Sequence, residues 1–266
     1  MSRFHWREWG IEAAGLGLFM ISAALFATLL EGPGSPVRER LADPLTRRAL
    51  MGLAMGLTAL ALVYSPWGRR SGAHFNPATT LTFFRLGKVS PTDALAYPLA
   101  QLAGGLGGVA VAARLLGARF TAPPVDWVAT RPGRYGVAAA FAAEVAIAAL
   151  MMLTVLFFSN RPAIARFTGV AAAALVGLYI TLEAPVSGMS LNPARSLASL
   201  LPSGDLRGLW VYLCAPLAGM LAAAEIYRRI PGHLPVLCAK LHHESTSPCP
   251  FHCGYCRHPD AIPENR

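Results

Sequence analysis

Two stretches of the chain share one plan. Residues 71–78 read Ser-Gly-Ala-His-Phe-Asn-Pro-Ala, and residues 187–194 read Ser-Gly-Met-Ser-Leu-Asn-Pro-Ala. Asn is a favoured helix N-cap, and Pro is favoured at the first helical position, where its missing N–H costs nothing. Asn76-Pro77-Ala78 and Asn192-Pro193-Ala194 are therefore helix starts. Their side-chain amides can donate hydrogen bonds to a neutral oxygen. Arg195 follows the second start directly. This is chemistry for holding and passing a small polar, uncharged molecule.

The elements that position these residues are apolar. The chain is 54% hydrophobic and only 14% charged, against about 25% charged in ordinary soluble domains. Six apolar runs stand out: Gly10–Leu30, Ala49–Pro66, Ala94–Ala113, Gly136–Phe158, Phe167–Leu182 and Gly208–Tyr227. A membrane-crossing helix needs roughly 20 mostly apolar residues, and five of the runs have that length. Phe167–Leu182 is short and would have to recruit Ala184 to Val186. A soluble helix needs a polar face, which these runs lack.

Behind each Asn-Pro-Ala comes a short amphipathic stretch, Pro77–Leu86 and Pro193–Leu201. About ten residues at about 1.5 Å each make about 15 Å of helix, half of a ~30 Å hydrocarbon core. Each is half a span. The spans divide into two repeats, about 8–120 and 133–230, joined by a Pro-rich connection. Three spans per repeat is odd, so the second repeat sits inverted with respect to the first. Glu12 in the first span of one repeat is matched by Glu144 in the other. The two half-helices then enter from opposite faces and their N-termini meet near the midplane. Irregular backbone is tolerated there only where it is buried or lines a wet cavity. Each tip carries about half a positive charge, so two facing one point repel cations and protons. The predicted fold is an all-α membrane protein of six transmembrane helices and two re-entrant half-helices, in inverted three-helix repeats.

With these motifs in place, the chain resembles the major intrinsic protein family, the aquaporins and aquaglyceroporins. The likeness covers about residues 8–230, including "SGAHFNPA", "SGMSLNPARS", the paired Glu12 and Glu144, and "YPLAQLAGG" in the third span. "APVSGMSLNPARS" is similar to the nodulin-like plant branch and its bacterial relatives. The resemblance implies one pore per subunit, a homotetramer, and passive passage of water or small neutral solutes such as glycerol, urea or neutral metalloid acids. It implies a constriction formed by Met55, Ile180, Met189 and Arg195, with Gly56 the rival for the first position. Strict water pores of the family usually carry His at the position of Ile180 and an aromatic at that of Met55. Their absence here leaves one donor against an apolar wall. Ser196 stands where glycerol facilitators carry Asp.

Glu12 and Glu144 read as acceptors for loop N–H groups, with a proton relay as the other reading. His74 lines the pore or packs a loop. Gln101 reads as a helix-to-loop hydrogen bond, and Tyr64, Trp67, Trp210 and Tyr212 as interfacial or packing aromatics.

Net charge is +9, but no nucleic-acid motif accompanies it. The basic residues sit between apolar runs, where anionic lipid is the plainer partner. They divide 13 to 10 in favour of cytoplasmic termini, a small excess by the positive-inside rule. The reading is an integral membrane protein, placed in a bacterial inner membrane. Catalysis would need a nucleophile or ligand set within the spans, and the sequence offers none, so neither enzyme nor cofactor is expected. A secondary transporter shares inverted repeats and broken helices, but usually needs ionisable groups at its binding site.

Residues 1–232 form the channel unit and 233–266 a polar tail with four of the five Cys and five of the seven His. Cys249, Cys253 and Cys256 are spaced by four and three. Thiolate and imidazole at such spacing suit Zn²⁺ or another thiophilic ion. On that reading the tail senses metal. A loose tail with free thiols is the alternative.

Overall fold

A computed structural model describes residues 4–243 and 248–255. Eight principal helices follow in chain order: α1 (Trp6–Glu31), α2 (Pro44–Tyr64), α3 (Pro77–Arg85), α4 (Pro91–Leu116), α5 (Gly136–Ser159), α6 (Thr168–Leu182), α7 (Pro193–Ser203) and α8 (Leu209–Arg229). All except α3 and α7 belong to stretches long and apolar enough to cross a membrane. No strand occurs among the described residues. α1 to α4 and α5 to α8 form the two repeats.

One local rule starts many of these helices, a capping side chain followed by Pro. The Asp43 carboxylate accepts from Leu45 N and Thr46 N ahead of Pro44. Ser90 Oγ accepts from Asp93 N ahead of Pro91. Asn76 and Asn192 do the same ahead of Pro77 and Pro193. Each cap supplies an acceptor for the otherwise unpaired N–H groups of the first turn.

The fifth span gains its length differently from expectation. The helical stretch runs Ala165–Leu182, because a 3-10 turn at Ala165–Phe167 leads into α6 from upstream. Ala184–Ser187 forms a separate short helix beyond Glu183 and hands the chain to the second Asn-Pro-Ala loop. α7 runs past Leu201 to Ser203, and Gly204 ends it in the left-handed conformation.

Close helix crossings hold the bundle. A Cβ built on Gly104 of α4 would fall 1.9 Å from the Ala13 carbonyl oxygen of α1, and one on Gly108 would fall 2.3 Å from that of Gly17. α2 and α6 cross at Gly52 and Gly177 in the same backbone-to-backbone manner. Lipid offers no hydrophobic force between helices, so such close approach and its dispersion contacts supply the association energy. Gly107 faces open space and takes no part in this packing.

Beyond α8 the chain folds back beneath the face where it enters α1. Leu237 N donates to Asn160 Oδ1 at 2.8 Å, and Leu241 N to the Gly72 carbonyl at 3.1 Å. The tail residues 233–243 and 248–254 lie against the bundle without helix or strand.

Candidate functional site: a central cavity between two helix tips

The loops before α3 and α7 are strained in matching places. Ala73 and Phe75 have φ of 57° and 46°, and Met189 and Leu191 have φ of 51° and 57°. Left-handed backbone at non-glycine residues costs of order 1–3 kcal/mol each and persists only where the surroundings over-determine it. A buried carboxylate supplies that constraint in each repeat. Glu12 accepts from Ser71 Oγ (2.7 Å), His74 N (3.1 Å), Phe75 N (2.6 Å) and Gln101 Nε2 (2.8 Å). Glu144 accepts from Ser187 Oγ (2.7 Å), Ser190 N (2.6 Å) and Leu191 N (2.8 Å). These are charge-assisted bonds, about twice as strong as neutral ones.

A pair of tyrosines completes the brace. Tyr97 OH donates to Ser71 O at 2.9 Å, and Tyr212 OH to Ser187 O at 2.6 Å. Both rings are fully buried. Tyr212 is therefore a loop support, not an interfacial aromatic. Its signal in the sequence was symmetry with Tyr97 of "YPLAQLAGG".

With the loops held, the two tips meet. Asn76 Oδ1 accepts from Ala78 N, capping α3, while Asn76 Nδ2 donates to Leu191 O at 2.7 Å. Asn192 Oδ1 accepts from Ala194 N and Arg195 N, capping α7, while Asn192 Nδ2 donates to Phe75 O at 2.7 Å. Each asparagine caps its own half-helix and ties itself to the opposite loop. An amide NH₂ has two donors, so each tie leaves one hydrogen for a guest.

Both asparagines line a cavity of about 330 Å³, and so do Met55, Ile180, Met189, Arg195 and His74. Gly56 does not line it. Its missing side chain instead lets the Ala173 carbonyl of α6 come close. The wall is otherwise mostly apolar. Arg195 Nη1 is buried there with no protein partner. Arg48, Met51 and Thr79 also line the cavity, and sequence reading missed all three. The helical spacing of 48, 51 and 55 on α2 was the available signal. Ser196 does not face the cavity. It is buried, bonded to Thr130 Oγ1 at 2.5 Å and Ser190 Oγ at 2.6 Å. His74 Nδ1 pairs with Thr80 Oγ1 at 3.0 Å, and its Nε2 lies 2.8 Å from the Ala239 carbonyl of the tail.

The thiol reading of the tail changes membership. Cys249 and Cys253 come together with Cys238 and His243, their ligand atoms all within 4.8 Å of one another. Cys256 lies outside the described residues.

Six spans, two half-helices entering from opposite faces and a cavity at their meeting point define a membrane protein of the channel-forming class. The profile described as "Major intrinsic protein" matches residues 6–227, and the chain belongs to that family. It is 33% identical over 207 residues to Aquaporin NIP1-4 of Oryza sativa subsp. japonica, covering 78% of this chain and 74% of that one. It is 34% identical over 177 residues to the probable aquaporin NIP-type of Nicotiana alata, covering 66% and 63% respectively. The match thus spans less than two thirds of the tobacco relative. In fold it is similar to the aquaglyceroporin of Plasmodium falciparum, with TM-score 0.68 and 23% identity over 85% of this chain and 97% of that one.

Proposed function

We propose that the protein is a passive membrane channel for water and small uncharged polar solutes, among them glycerol, urea and neutral metalloid acids, and that it excludes protons and ions. One observation carries this reading. At the centre of the bundle each asparagine is tied to the opposite loop and keeps one amide hydrogen toward the cavity. A solute passing there accepts from both amides while two helix N-termini face it, an arrangement that disfavours a positive charge. Arg195 adds a guanidinium with an unused donor on the same path. Met55, Ile180 and Met189 form the apolar side of the constriction, and that wall suits a solute with a carbon or metalloid body.

No carboxylate lines the cavity among the described residues. Glu12 and Glu144 are spent on loop N–H groups, which favours a channel over a proton-coupled transporter. We read the face bearing the tail as cytoplasmic, from the balance of basic residues, and the assembly as a homotetramer, from family resemblance. Placement in a bacterial inner membrane rests on the likeness of "APVSGMSLNPARS" to bacterial relatives.

Stopped-flow light scattering on vesicles of the purified protein tests the function. Water, and at least one of glycerol and urea, should cross fast and independently of any proton or sodium gradient. Flux that saturates and follows an imposed gradient would replace the channel reading with a transporter.

A further inference from the structure

Two observations on the tail meet at one place. The first is the ligand set. Cys238 Sγ and Cys249 Sγ lie 3.5 Å apart, and His243 Nε2 lies 3.1 Å from Cys253 Sγ. Tetrahedral Zn²⁺, with bonds of ~2.3 Å to sulfur and ~2.0 Å to nitrogen, places its ligand atoms roughly 3.5–3.8 Å apart. Four ligand atoms within 4.8 Å of one another need only small shifts to close on such an ion. Three thiolates and one imidazole make a complete structural set with a preference for thiophilic metals. So short a polar segment cannot bury a core of its own and needs a staple.

The second observation is what the staple would hold. Cys238 and His243 bracket Ala239–His242, and this short loop sits under the first Asn-Pro-Ala loop. The Ala239 carbonyl accepts from His74 Nε2 at 2.8 Å, and Leu241 N donates to Gly72 O at 3.1 Å. The Leu241 side chain lines the central cavity. From the second ligand pair, Phe251 stacks on His74 with ring centroids 5.1 Å apart, and His252 N donates to Lys88 O at 2.9 Å. The ligands thus flank Leu241, which lines the cavity, and Ala239 and Phe251, which contact the cavity-lining His74.

We propose that Cys238, His243, Cys249 and Cys253 form a binding site for a thiophilic divalent cation of the Zn²⁺ class, and that the bound ion holds the tail as a plug in this mouth of the pore. Binding converts three thiols and a neutral imidazole to a tetrahedral complex and releases three protons, so affinity falls as pH falls. Without the ion, the loop loses its closure and the mouth opens. The gating half rests on the channel reading above, and the binding half does not.

The test uses the full-length protein, reduced and freed of metal, with Zn²⁺ alone as the probe. Titration against a chromophoric chelator should give one ion per chain, and Co²⁺ in its place should give the absorption of a tetrahedral thiolate complex. Cys253→Ser and Cys249→Ser should each weaken binding by more than about 100-fold, beyond what loss of a mere supporting partner does. Cys214→Ser, at the free exposed thiol of α8, should change nothing. In vesicles exposed on both sides, Zn²⁺ should slow water flux of the unmodified protein and a chelator should restore it. A closed state favoured ten to one gives about a tenfold effect. Cys253→Ser should remain fast in either condition.

Absence of stoichiometric binding by the reduced protein, or a Cys238–Cys249 disulfide that persists through reduction, overturns the site. Stoichiometric binding with unchanged flux overturns the gate. No water flux even in the metal-free protein and in Cys253→Ser, with binding intact, would instead count against the channel reading.

Discussion

On the proposed channel reading, charge exclusion depends most directly on Arg195. It caps no carbonyl with Nη1, and that nitrogen is buried at the cavity with no protein partner. A guanidinium at membrane depth costs a few kcal/mol to insert, so its place needs a functional return. Arg195→Val should raise proton and cation leak through vesicles while preserving water flux, read with a pH-sensitive dye under an imposed gradient. Unchanged leak would remove the role given to Arg195. The asparagines beside it were legible from local rules, since a cap followed by Pro announces itself. Their cross-ties to Leu191 O and Phe75 O were not, because those acceptors lie 115 and 117 positions away along the chain.

Among the elements, the half-helices were readable to within a residue or two, from length and capping alone. The fifth span was misjudged at its end. Apolar content did not show that the break at Glu183 separates α6 from the short helix Ala184–Ser187, and the missing length came from upstream. For Tyr212 the sequence left an interfacial and a packing role open, and the structure decides for packing. A tyrosine near a span end usually marks the lipid interface, yet here the ring is buried and its hydroxyl holds Ser187 O. The α1–α4 pair is where an element-scale test bites. Gly104→Val would drive a branched side chain into the Ala13 carbonyl, and overpacking of this kind typically costs 1–3 kcal/mol or more. The variant should lose monodispersity in detergent by size-exclusion chromatography, while Gly107→Val, in open space, should not.

On the scale of the whole molecule, the tail and the channel unit are coupled through a few polar contacts. Asn160 is fully buried at the end of α5. Its Nδ2 donates to Leu156 O, and its Oδ1 receives Leu237 N. Asn160→Ala should free the start of the tail, leaving a buried N–H unsatisfied at a cost of about 1–3 kcal/mol. Limited proteolysis should then cut the tail faster than in the unmodified protein, with the spans still protected. Equal cleavage rates would show that the tail does not depend on this tie.

The amino-acid sequence alone settled what is local and repetitive: six apolar spans, two capped half-helices, the paired carboxylates and the inverted order of the repeats. Spans, caps and periods are short-range properties, written within ten or twenty consecutive residues. The tertiary structure decided which groups meet. It set the exchange of amide donors between opposite loops, the place of a second arginine, Arg48, on the cavity wall, and the recruitment of Cys238 and His243 to the thiol cluster. Those pairings arise from the packing of segments remote in the chain, and for the tail from its seat on a surface that its own spacing does not encode.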